Sequence, residues 1–161
     1  MAVVSALVAY VGVRSVVWED TDETRHNAAV GDLVAELRGA PPGERPDLLE
    51  ALGHLRDPAA VKAIAPYLRS TVRDERRAAV HALGRIPDPH ARLLLEQALR
   101  DPDPQVRRLA ALGLWKQHAP ESLPALRAAL EDPDPDVRDQ VNKALQAAGE
   151  AGGPARPSSP K

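Results

Sequence analysis

The residue types that most often carry chemistry are present in this 161-residue chain, but not in working combinations. Its five histidines, His26, His54, His81, His90 and His118, are followed by Asn27, Leu55, Ala82, Ala91 and Ala119. They read as solvated or edge side chains rather than metal ligands. Ser5, Ser15, Ser70, Ser122, Ser158 and Ser159 have no nucleophile-elbow context. The carboxylates gather in Asp-Pro-Asp-Pro turns, where helix capping accounts for them, whereas acid–base catalysis needs one held in a cleft with a displaced pKa. No glycine-rich phosphate loop is present, and with no cysteine there is no disulfide and no thiolate zinc site. The sequence therefore assigns no catalytic, cofactor-binding or metal-binding residue. The chain is expected not to be an enzyme and to need no cofactor.

The elements that would position any working group form a repeat. LRDPDPQVRRLAALGL, from Leu99 to Leu114, recurs as LEDPDPDVRDQVNKAL, from Leu130 to Leu145, at an offset of 31 residues. The same step places Ala51-Leu52-Gly53 over Ala82-Leu83-Gly84. It aligns Leu37, Leu68, Leu99 and Leu130, and also Leu33, Ile64, Leu95 and Leu126. Arg45, Arg76, Arg107 and Arg138 share a further column. Each period predicts two helices, a first over 44–54, 75–85, 106–117 and 137–148, and a second over 28–38, 59–69, 90–100 and 121–131. Triplets such as Val61, Ile64 and Leu68, spaced by three and four, put one apolar face on each second helix. Asp103-Pro104 and Asp134-Pro135 set a capping carboxylate before a proline that suits the first helical position, and Asp57-Pro58 and Asp88-Pro89 do the same. Gly53 and Gly84 are expected to end helices in the left-handed conformation, and Pro66 to kink one.

One such hairpin cannot bury its apolar face alone, so neighbours must stack. Apolar residues make up 43% of the chain and aromatics only 2%, so the core must be Ala, Leu and Val in closely packed helices. The predicted fold is all-α: an α-solenoid of about four hairpins with period 31, counted as a half-unit, three hairpins and a closing helix. The segments DPDPQVRRLAALGL and ERRAAVHALGRIPDP resemble HEAT-like repeats of the kind found in phycobilisome lyases, over about residues 28 to 148. The resemblance implies a superhelical scaffold whose second helices line the concave, binding side. The family includes bilin-lyase subunits, deoxyhypusine hydroxylase, alkylpurine DNA glycosylases and many scaffolds. Its hydroxylase branch holds iron with His-Glu pairs, and no His-Glu pair occurs here. It also implies that Arg76, Arg107 and Arg138 bond turn carboxylates such as Asp101 or Asp132, a structural ladder beside the caps Asp103 and Asp134.

Residues 2–18, AVVSALVAYVGVRSVVW, carry no charge before Arg14 and no helical stripe. Residues 1–18 are expected to form a hydrophobic N-terminal helix that anchors the chain in a membrane, with a cleaved signal or a helix capping the solenoid as alternatives. Residues 19–27 then form an acidic linker, 28–148 the repeat domain and 149–161 a disordered tail rich in Gly, Pro and Ser. The acidic flank favours repeats outside the cytoplasm; a cytoplasmic location is the alternative.

Arg38, Arg69 and Arg100 end three successive second helices in register, and Glu131 breaks the row. Each complements a helix C-terminus, and together they are a candidate basic stripe for an acidic partner. Trp115, which replaces the glycine of its column, and Tyr67, beside Pro66, are candidate partner contacts. Residues 26–148 hold 17 Lys and Arg against 18 Asp and Glu, a net of −1, which argues against nucleic acid as a partner. The function expected is a non-catalytic scaffold for a protein partner, tethered through residues 2–18. The alternatives are an enzyme or enzyme subunit of the bilin-lyase type, holding a chromophore or client protein, and nucleic-acid binding.

Overall fold

A computed structural model describes residues 22–149. Among them are eight α-helices and no strand. They are α1 (Asp22–Gly39), α2 (Arg45–Leu55), α3 (Val61–Ile64), α4 (Arg73–Leu83), α5 (Pro89–Ala98), α6 (Pro104–Lys116), α7 (Leu123–Ala128) and α8 (Pro135–Ala147). The 3-10 turns Pro58–Ala60 and Ala65–Arg69 extend α3 on both sides, and Pro120–Ser122 and Ala129–Glu131 do the same for α7. The first helices α2, α4, α6 and α8 pack in a row, so the chain is an α-solenoid of stacked hairpins opened by α1 and closed by α8. Helix α1 takes in residues 22–27, which the sequence placed in the acidic linker. The hydrophobic segment 1–18, and residues 150–161 of the tail, lie outside the described residues. Among the described residues no helix is long and apolar enough to cross a membrane.

Helix boundaries follow the aspartate–proline pairs. The Asp57 side chain accepts from the Ala59 N–H at 2.7 Å, and Asp88 accepts from the His90 N–H at 2.8 Å. Asp103 accepts from Gln105 at 3.1 Å and Asp134 from Asp136 at 2.9 Å, and a proline follows each cap. Proline also explains why α3 and α7 are short. Pro66 has no N–H to give to the carbonyl of Lys62, and the helix tightens into a 3-10 turn from Ala65. Pro124 likewise cannot bond back to Pro120, and there the preceding Leu123 N–H closes a 3-10 turn instead.

The core is the Ala/Leu/Val interior that the composition demands. Leu37, Leu49, Leu52, Ile64, Leu83, Leu95, Leu114 and Leu145 are all fully buried, at about 1.5–3 kcal/mol each relative to exposure. The glycines do something other than the sequence suggested. Gly84 closes α4 at φ −63°, ψ −16°, in the right-handed region, and the non-glycine residues at positive φ are Arg56 and His118. Their role is close approach. A Cβ on Gly53 would lie 2.5 Å from the Ala82 Cα, and one on Gly84 would lie 2.9 Å from the Gly113 Cα. First helix thus touches first helix backbone to backbone. At the next member of the column, Trp115 and Ala144 line one cavity.

A polar ladder runs beside this contact. Arg107 forks onto Asp132, Nε to Oδ2 at 2.7 Å and Nη2 to Oδ1 at 2.8 Å, while its Nη1 donates to the Asp101 carbonyl at 2.9 Å. Arg76 forks onto Asp101 at 2.9 and 3.3 Å. Arg138 donates to the carbonyls of Asp132 and Pro133 at 2.6 and 3.0 Å. The Asp132 carboxyl is held below its ordinary pKa, chiefly by the Arg107 hydrogen bond, which in turn raises Arg107. Arg77 adds a second fork onto Asp103 at 2.8 and 3.3 Å; burial pushes that carboxyl up, but the Arg77 and Gln105 hydrogen bonds outweigh it and the net direction is down.

At the first step the ladder changes hands. The column of Asp101 and Asp132 holds Ser70, and the column of Val106 and Val137 holds Glu75. Glu75, 2% exposed, accepts from Arg45 at 3.2 Å and from the Ser70 hydroxyl. The carboxylate has moved five residues along the chain to the same arginine column.

Gly53→Ala should destabilise the protein by about 1–2 kcal/mol in urea denaturation, because the clash with Ala82 exceeds the gain in helix propensity. Gly31→Ala, in α1 with nothing within 4 Å, should stabilise it by up to about 1 kcal/mol. Ser70→Asp and Glu75→Val should each destabilise alone. Combined, they rebuild the pattern of the later repeats, and the cycle should show a favourable coupling of about 1–3 kcal/mol. Additive losses would mean that the two positions do not share Arg45.

Candidate functional site

Second helices 58–69 and α5 lie side by side and leave an open cavity of about 530 Å³ between them. Its floor is Ala65, Pro66, Leu68, Leu94 and Ala98, and its rim carries Lys62, Arg69 and Arg100. The proline break builds the floor: where Ala65–Arg69 tightens to 3-10, the Pro66 ring faces out in place of an ordinary helical turn. Lys62, Arg69 and Arg100 are exposed, and their side chains make no hydrogen bond or ion pair among the described residues. The carboxylate in the lining, Asp101, already holds Arg76. The groove therefore offers an apolar strip edged with uncommitted positive charge. Arg38 is exposed on α1 and does not reach the groove. Lys62, one turn into the composite helix, lies outside the register that marks the arginines, and only adjacency in space brings it to them.

Tyr67 and Trp115 have different surroundings. The Tyr67 hydroxyl donates to the Leu37 carbonyl at 3.3 Å and its ring packs against the core, tying 58–69 to α1. Trp115 is 37% exposed and lines a cavity of about 270 Å³ with Leu114, His118, Leu123, Leu126 and Ala144. An indole cannot enter the backbone contact that Gly53 and Gly84 allow, so at this step the column ends in a shallow apolar hollow.

Histidines are dispersed. His26 pairs with Asp57 at 3.0 Å, His54 Nδ1 meets the Glu50 carbonyl at 2.8 Å, and His81 lies 3.7 Å from Glu50. Burial, then Arg85, lowers the His81 pKa. Among the described residues no three His, Asp or Glu side chains converge as a metal site would require. Asp103, Asp134, Arg76, Arg107 and Arg138 sit in caps and ladder, away from the groove.

Comparison with known proteins fits this architecture. Residues 30–99 and 91–156 match HEAT repeats. Comparison with curated proteins gives no match. Among solved structures, human deoxyhypusine hydroxylase, in complex with glycerol, is similar at a TM-score of 0.65 and 29% identity. The alignment covers 74% of this chain and 43% of the hydroxylase, so the chain spans less than half of that protein's length. That a solved structure similar to this chain is an enzyme built on this architecture overturns the expectation, drawn from the missing motifs, that the chain is not an enzyme. The reason is physical: a solenoid can bring side chains together across repeats, so the absence of a local motif does not decide against activity. With paired helices repeating every 31 residues, an arginine–aspartate ladder and two consecutive repeat matches, the chain belongs to the HEAT-repeat family.

Proposed function

We propose that this HEAT-repeat chain is a scaffold that binds an acidic, partly apolar segment of a partner protein in the groove between 58–69 and α5. The observation that carries this reading is the set of three uncommitted cations, Lys62, Arg69 and Arg100, around an apolar floor. The floor supplies affinity by burial, and the rim charges supply choice of partner and speed of encounter. A labelled peptide of alternating Glu and Leu should bind the full chain, and a Lys-for-Glu version should not. Arg69→Glu with Arg100→Glu should weaken binding about tenfold, whereas Arg38→Glu should leave it within about twofold. Equal binding of both peptides, or full affinity in the folded double variant, would remove the groove from consideration.

Residues 2–18 complete the proposal as a membrane tether, with the repeats outside the cytoplasm. The support is the uncharged apolar run before Arg14 and the acidic cluster after it. In cell fractionation the full-length protein should stay with membranes until detergent is added; recovery in the wash would exclude a tether. The second reading is an enzyme or enzyme subunit of the bilin-lyase type that holds a chromophore or client; the likeness to deoxyhypusine hydroxylase supports its enzymatic part alone. In that case the same groove would hold the acidic group of the substrate.

A further inference from the structure

A second cavity, of about 310 Å³, lies where the first helices end. It is lined by Arg56, Gly84, Arg85, Pro87, Lys116 and Gln117. Arg56 caps α2, Arg85 follows α4 and Lys116 ends α6, so three cations from three successive repeats meet at one place. Cations commonly complement helix C-termini, but the carbonyls here already have donors. Gln117 Nε2 donates to Leu83 O at 3.0 Å and to Ile86 O at 2.9 Å, and the Arg56 N–H closes onto Gly53 O at 3.3 Å.

Four observations bear on how these cations are held. None of the three makes an ion pair there, and no carboxylate lines the cavity. The Arg85 Nε is buried without a hydrogen-bond partner, a state that native structures rarely leave unanswered. Arg56 sits at φ +56°, where glycine is the usual residue, so the arginine is kept there against backbone preference. His81, whose pKa is lowered mainly by burial, is lowered further by Arg85 and Lys116 against the opposing pull of Glu50. Three like charges held together repel one another, and a bound anion relieves that repulsion.

We infer that this cavity, formed by Arg56, Arg85 and Lys116, is an anion site for a phosphoryl dianion. Two guanidinium forks and an ammonium match the charge and the several acceptor oxygens of a phosphoryl group better than those of a single carboxylate. The Arg85 Nε is a donor without a partner among the described residues. The site lies on the first-helix side and does not depend on the peptide groove.

The test is titration of the isotope-labelled full chain with inorganic phosphate and with O-phosphoserine at constant ionic strength, following the Gly84 amide and the Gln117 side-chain amide by NMR. Saturable shifts are expected, and Arg85→Gln with Lys116→Gln should weaken binding about tenfold or more. Tighter binding of phosphoserine would identify a phosphorylated residue as the source; equal binding would identify free phosphate. Linear shifts reproduced by sodium chloride, or unchanged affinity in the folded double variant, would overturn the assignment. If the double variant does not fold, Arg56→Gly replaces it, since glycine suits that backbone. It should lower affinity severalfold at undiminished stability, and unchanged affinity there would equally overturn the site.

Discussion

Backbone against backbone is the contact on which this molecule rests. Where Gly53 meets Ala82, and Gly84 meets Gly113, there is no room for one more carbon atom, and the distance between successive repeats is set there. Everything outside that line is placed by it. The arginines of the first helices reach the turn carboxylates of the next repeat only because the hairpins stack so closely. Second helices, carried on the other side of the same hairpins, are spaced by the same step, which opens grooves between them. A chain with no phenylalanine can be built this way because small side chains let large stretches of main chain come together.

Much of this was legible in the sequence, and particular residues show where legibility stops. The offset between DPDPQVRRLAALGL and its copy gave the fold, and the aspartate–proline pairs gave the helix starts. Gly53 and Gly84 were read as turn residues because they stand near helix ends. Their real constraint comes from a helix 29 residues away, which no local pattern reports. Pro66 announced a break, but not that the break would form the floor of a groove. Arg85 and Lys116 stand one period apart, but Lys62 and Arg56 belong to no basic column, so only the fold could place Lys62 beside Arg69 and Arg100 and Arg56 beside Arg85 and Lys116. The expectation of no enzymatic role was drawn from missing motifs, which test neighbours in sequence, and it is overturned by the likeness to an enzyme on the same architecture.

Charge is distributed with a clear asymmetry. The turn aspartates are committed to caps and ladder, where Arg76, Arg77 and Arg107 occupy both carboxylate oxygens. With those anions tied up, a chain close to neutrality overall presents positive charge locally. One cluster edges an apolar strip on the second-helix side, and the other surrounds a polar hollow on the first-helix side. Net charge alone conceals both, because exposed carboxylates elsewhere on the surface, such as Asp74 and Asp139, offset them in the total.

The pair Ser70 and Glu75 has a consequence for how such a chain can evolve. Although the repeats look like copies, they are not interchangeable parts. The first joint takes its anion from inside the following helix, whereas the later joints take theirs from the turn. A duplicated third unit spliced behind the first would bring a valine to meet Arg45, and a first unit spliced further along would bring a serine where an arginine needs a carboxylate. Recombination between units of this solenoid is thus confined to those sharing one joint type, and lengthening it by gene duplication is easier at its C-terminal half than at its beginning.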